Sequence, residues 1–159
     1  MYNGDLIVGG IFSTAGGTSA PSIAKWNGTA WSGLGSGIGA TPVGYNYVFA
    51  LTEYNGSLFA GGMYQTAGGI NVNSIAKWDG STWYDLNGGV QFGGSNVYAV
   101  NTLTVYNGDL YAGGIFTTAG TVGAAHIAKW NEIPTAVKNQ LLQRILFNYI
   151  LTPTRLLNR

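Results

Sequence analysis

Tyr54-Asn55-Gly56-Ser57-Leu58-Phe59-Ala60-Gly61-Gly62 decides the fold, because this stretch occurs three times. It is preceded by Tyr2-Asn3-Gly4-Asp5-Leu6 with Gly9-Gly10, and followed by Tyr106-Asn107-Gly108-Asp109-Leu110 with Gly113-Gly114. The spacing is 52 residues each time. Working outward, Thr66-Ala67-Gly68 has copies at Thr14-Ala15-Gly16 and Thr118-Ala119-Gly120. Ile75-Ala76-Lys77-Trp78 has copies at Ile23-Ala24-Lys25-Trp26 and Ile127-Ala128-Lys129-Trp130. Self-similarity at a fixed period of this length is the mark of stacked units that share a core with their neighbours.

Each unit reads as two hairpins. Val48 to Tyr54 and Ser57 to Gly61 flank Asn55-Gly56, a pair that favours the type I′ turn because both residues tolerate positive φ. Ser74 to Trp78 and Thr82 to Leu86 flank Asp79-Gly80, which predicts a second turn of the same kind. The Gly-Gly after the second strand suits a place where backbones approach closely or bend. Four antiparallel strands per unit, repeating at this length, are the pattern of a β-propeller blade.

The run Asn-Gly-x-Leu-aromatic-x-Gly-Gly, then Ile-Ala-Lys-Trp, Asn/Asp-Gly and a second tryptophan (Trp31, Trp83), resembles kelch-type propeller repeats. It is most similar to the Gly-rich, low-charge kind found in large secreted bacterial proteins and fungal cell-polarity surface proteins. The resemblance covers residues 2 to about 131. It implies an all-β chain of about three incomplete blades, with units at 2–53, 54–105 and 106–132, and is unspecific for activity. The strand matching Val48 to Glu53 has no counterpart before Tyr2, and Met1 stands where Glu53 and Val105 stand in the other units. In the third unit position 135 is Thr where a second tryptophan belongs. About ten strands are therefore expected where three whole blades need twelve. The reading is an excerpt of a longer protein, with a self-closing oligomer or an open array as alternatives, since unpaired strand edges invite association. No charged and apolar leader of signal-peptide type opens the chain.

Residues 133–159 are different material. Counting Lys, Arg, Asp and Glu, the body carries three lysines against six acids, and the tail carries Lys138, Arg144, Arg155 and Arg159 with none. Val137, Leu141, Leu142, Ile145, Leu146, Tyr149 and Ile150 fall at helical spacing between Pro134 and Pro153. This predicts an amphipathic helix that caps an open blade face. A membrane surface is the weaker alternative, because the segment is short and modestly basic; accidental sequence beyond the last blade residue is the third.

Composition narrows function mostly by exclusion. Of 159 residues only 8% are charged, against about 25% in an average globular protein. Twenty-six are glycine and none is cysteine, which removes disulfides, thiolate metal sites and cysteine nucleophiles. A net charge of +1 argues against capture of nucleic acid. His126 is the only histidine, at the position of Ser22 and Ser74, and one histidine builds neither a metal cluster nor a triad. Asp5 and Asp109 repeat at turn exits, which favours a role in the fold over calcium binding. Gly33, Gly35, Gly37 and Gly39 imitate a phosphate loop, but no helix pattern follows them. Asn27-Gly28-Thr29 and Asn55-Gly56-Ser57 are formal glycosylation sequons set in tight hairpins. Lys25, Lys77 and Lys129 recur within strands, with stems along the sheet and amines in water. Trp26, Trp31, Trp78, Trp83 and Trp130 obey the repeat and are expected to pack between neighbouring blades.

Aromatic residues that the repeat does not demand are better candidates for a site. These are Tyr45, Tyr47, Tyr84 and Phe92, in or beside the connections 33–47 and 85–99 where the units differ most. No catalytic residue, metal or cofactor is expected. The reading is a non-enzymatic interaction or surface-display module of an extracellular or cell-surface protein, taking a protein or glycan ligand. A fragment of a larger propeller enzyme and a purely structural spacer are the alternatives.

Overall fold

The computed structural model describes residues 1–39, 46–93 and 99–130. The expected helix at 133–159 and Tyr45 lie outside these residues. The described chain is all-β and its sheets are antiparallel. In the first unit β1 (Leu6–Gly9), β4 (Ile23–Trp26) and β5 (Trp31–Gly33) form a sheet in that order, and β2 (Thr14–Ala15) pairs with β3 (Thr18–Ser19) in a small hairpin between them. The second sheet is complete and starts one strand before the repeat boundary at 54, so structural units run from the strand that precedes each Asn-Gly turn. In it β6 (Tyr47–Tyr54), β7 (Ser57–Met63), β10 (Ile75–Trp78) and β11 (Trp83–Asp85) lie side by side in chain order, with β8 (Thr66–Ala67) and β9 (Ile70–Asn71) as the inserted hairpin. Then come β12 (Val90–Gln91) and the third sheet, β13 (Ala99–Tyr106), β14 (Asp109–Ile115) and β17 (Ile127–Trp130). Its small hairpin, β15 (Thr118–Ala119) with β16 (Val122–Gly123), takes β12 as a third strand. The inserted hairpins were not expected from the sequence; two residues per strand leave no periodicity to read. None of these sheets closes on itself.

The first turn of each unit forms as its residues predict. Asn3 and Gly4 have φ of 50° and 84°, Asn55 and Gly56 49° and 72°, Asn107 and Gly108 50° and 79°. Positive φ at both central positions is the I′ signature, and its twist matches that of the flanking strands. The second turn departs from expectation. Trp78 pairs with Trp83, so the connection is the four residues Asp79–Thr82, and only Gly80 takes positive φ. Asp79 instead caps the loop: its Oδ1 accepts the amide N–H groups of Ser81 and Thr82, each at 2.8 Å. Asn27 does the same for Thr29 and Ala30 at 2.9 and 2.8 Å. A side-chain acceptor two and three residues upstream stabilises an Asx turn without left-handed backbone at the Asx itself.

The core lies between units. A β-bulge falls at Phe49, between Val48 and Ala50, and another at Asn101, between Val100 and Thr102. The extra residue lets side chains three apart face the same way, which strict alternation forbids. Val48 and Leu51 thereby both bear on Gly9 of the first sheet, and Val100 and Leu103 on Gly61 of the second. Ile23, Leu34, Ile38, Val48 and Leu58 close the first junction. Ile75, Val90, Val100, Ala112 and Phe116 close the second.

Gly61 has ordinary backbone φ, and a methyl group on it would lie 2.5 Å from Val100 Cγ1. Replacing it with alanine is therefore an overpacking test free of backbone strain. Gly61→Ala is expected to cost about 1–3 kcal/mol in urea unfolding. Val100→Ala in the same chain should recover part of that loss; strictly additive losses would mean that the valine does not sit on the glycine.

Candidate interaction surface

The polar groups that recur with the repeat are tied up within the fold, the turn tyrosines between units and the lysines and aspartates within one sheet. Tyr2 Oη donates to the carbonyl of Gly56 at 3.3 Å, and Tyr54 Oη to that of Gly108 at 3.1 Å. Each tyrosine thus ties its own turn to the turn one unit later. Burial raises the pKa of the Tyr2 phenol above its ordinary value. Lys25 pairs with Asp5 at 3.2 Å and Lys129 with Asp109 at 3.1 Å. The hydrogen bond from Lys129 to Asp109 raises the lysine pKa. The repeated acids at turn exits therefore serve the sheet, as exposed ion pairs of modest energy.

The glycine run after the fourth strand has the same kind of role. Gly39 N donates to Thr66 O at 2.7 Å and Gly68 N to Gly37 O at 2.9 Å, with buried Ile38 bridging Ala67. One unit later Gly120 N donates to Gly89 O at 2.7 Å, and β12 pairs with β15. Gly35, Gly37 and Gly39 all have φ between 62° and 83°. The run reaches the next unit's small hairpin through an isolated bridge, and its left-handed residues steer it there.

The tryptophans pair mainly within their own sheets. Trp26 and Trp31 have ring centroids 5.4 Å apart, Trp78 and Trp83 5.2 Å. The second ring of each pair covers the glycine of its own small hairpin, Gly16 or Gly68. Trp78 and Trp83 also pack on the neighbouring unit as expected: both rings lie against Gly35, they share a buried cluster with Leu34 and Ile38, and Trp83 Nε1 donates to Leu34 O at 2.9 Å. In the third unit a groove of about 390 Å³ lies beside Trp130, lined by Asn87, Gly120, Val122 and Ile127 among others. The partner position, Thr135, lies outside the described residues.

What remains is unit-specific. Tyr84, where the first unit has Ser32, stands 43% exposed on the outer strand β11. Its hydroxyl donates to Asp79 Oδ2 at 3.0 Å, and Lys77 Nζ lies 5.7 Å from its ring centroid, within cation–π range. Lys77 lies next to Tyr84 on the sheet and opposite Phe59 on the other side. Ser57 takes the place of the aspartate in this unit. Amide and hydroxyl donors, the Ser81 N–H foremost, hold the Asp79 carboxyl far below the usual carboxylate range. The hydrogen bond to that carboxylate pushes the Tyr84 phenol up.

Sequence reasoning proposed four site residues, and the three described ones have separate neighbours. Tyr47 begins β6, half-buried, 6.0 Å from Phe49. Phe92 is half-buried with its ring 6.5 Å from His126. His126 Nδ1 lies 3.1 Å from Gly114 O, and its backbone keeps the left-handed φ of 65° that Ser22 and Ser74 share at 57° and 67°. Phe49 was missed, although it is exposed and corresponds to Asn101, so the test that selected Tyr47 selects it too. Among the described residues no group of three His, Cys, Asp or Glu is arranged to hold a metal ion. No helix among them is long and apolar enough to cross a membrane.

Because the folded state favours the neutral Tyr84 phenol, its contribution to stability is present below pH 10 and lost as pH rises through the raised folded value. In ultraviolet titration, Asp79→Asn should move one tyrosine down towards the ordinary 10.0. A tyrosine unmoved by that change would separate the two groups. Comparisons of the chain with protein-family models, curated proteins and solved structures find no match.

Proposed function

We propose that this chain is a non-enzymatic interaction module of an extracellular or cell-surface protein, built from kelch-like β-propeller blades. Its ligand is a protein or glycan, met by unit-specific aromatic side chains with Tyr84 foremost. The chain-order β6-β7-β10-β11 sheet and its stacking on neighbours through repeated glycines support the blade reading. One observation carries the binding reading. Tyr84, where the first unit has Ser32, is 43% exposed on the outer strand with the Asp79 carboxylate at 3.0 Å and the Lys77 ammonium 5.7 Å from its ring. An exposed ring beside a cation and hydroxyl groups suits stacking on a sugar face or a peptide aromatic.

The test is an immobilised glycan array probed with the full chain and with Tyr84→Ala, Tyr47→Ala and Phe92→Ala. Tyr84→Ala is expected to lower the bound signal at least tenfold while leaving the melting temperature within a few degrees, as for an exposed contact residue. Binding that survives Tyr84→Ala unchanged would move the site elsewhere, and an array with no bound glycan would leave the protein-ligand arm, read by the same variants on a displayed peptide library.

A further inference from the structure

The same residue types occupy the same positions in three units, yet their surroundings diverge at one face. Ile23 and Ile75 are fully buried, and Ile127 is 69% exposed. Tyr2 and Tyr54 are each 4% exposed and donate to the turn carbonyl of the next unit, whereas Tyr106 is 65% exposed. Gly9 and Gly61 receive the Val and Leu of the following strand, while among the described residues Gly113 meets only Thr102 and His126 of its own unit. Loss of cover at three independent positions marks one face, the outward side of β14 and β17.

We infer that this face is a docking seat for a further repeat unit of the same kind, presented as a bulged strand, an Asn-Gly turn and a returning strand. The occupant follows from the two junctions already made. Each uses a valine and a leucine three residues apart to fill the glycine seat, and a turn-glycine carbonyl eight residues after the valine to accept the tyrosine hydroxyl, as Val48, Leu51 and Gly56 do and as Val100, Leu103 and Gly108 do. The seat therefore requires Val-x-x-Leu followed by Tyr-Asn-Gly. Residues 131–159 carry no Val-x-x-Leu and no Asn-Gly, and residues 1–4 carry the turn without the valine and leucine. Neither this chain's own tail nor the first unit of a second copy meets the requirement. The inference concerns a different surface from the Tyr84 group, and it stands or falls independently of ligand binding there.

A synthetic peptide with the sequence of residues 99–115 supplies every element of the requirement. Titrated into the full chain, it is expected to bind saturably at one site. Ile127→Asp in the chain should weaken binding at least tenfold, as removal of a central apolar anchor does. Tyr106→Phe should weaken it about three- to tenfold, the worth of one hydrogen bond. Both residues are exposed in the free chain, so neither substitution threatens folding, and unchanged melting temperatures check this. Absent binding, or binding indifferent to Ile127→Asp, would overturn the assignment. So would peptide binding to a chain ending at Trp130 but not to the full chain, which would give the seat to the tail. A dimer of the free chain that Ile127→Asp dissociates would give it to a second copy, and would equally overturn the proposal.

Discussion

Everything else in this structure depends on the close approach of one sheet to the next across a bare glycine. Gly9 and Gly61 offer no side chain, and the valine and leucine of the following inner strand enter the space where a Cβ would be. A bulge at Phe49 or Asn101 turns both side chains to that face. Each sheet is short, with strands of two to eight residues, and cannot bury a core alone. Glycine brings the sheets close enough for their aliphatic residues to interdigitate, so stability resides in the junctions rather than in the units.

The same junction explains the sparse charge. Two surfaces that must meet over their whole area leave little room for groups that demand water, and the few that recur lie at edges. There they are held by short-range partners, Asp5 by Lys25 and Asp109 by Lys129. The buried polar groups are handled with equal economy. The Tyr64 phenol is fully buried with its pKa driven upward by desolvation, and it donates to the Ala60 carbonyl, while Ser22 reaches the carbonyl of Asn46. A phenol or hydroxyl aimed at a main-chain carbonyl meets its hydrogen-bonding need without bringing charge into the interface.

Three links join the first unit to the second and the second to the third: apolar side chains into glycine, a tyrosine hydroxyl onto a turn, and a glycine-rich segment onto a small hairpin. They lie at different heights along the strands and so fix relative orientation as well as contact. Unit-specific chemistry is left to places the links do not use. That is why Tyr84 on the outer strand is open, whereas Ile38 and Val90, deep in the connections between units, are buried.

The sequence by itself determined the period, the all-β class, the Asn-Gly turns and the ten principal strands, because each rests on local rules: alternation, positive φ and repetition. It also separated repeat-bound residues from the rest, a criterion that singles out Tyr84 and, applied evenly, Phe49. Tertiary structure decided what local rules cannot reach. The second turns are held by Asp79 and Asn27 side chains, so a pair of residues that reads as one turn type forms another. The glycine run after β5 pairs with residues about 30 positions away, and nothing in its composition names the partner. Lys77, identical in sequence context to Lys25 and Lys129, lies over Tyr84 in a unit where Ser57 replaces the aspartate. Identity at a repeated position fixes the backbone, while the neighbour across the sheet fixes what the side chain does.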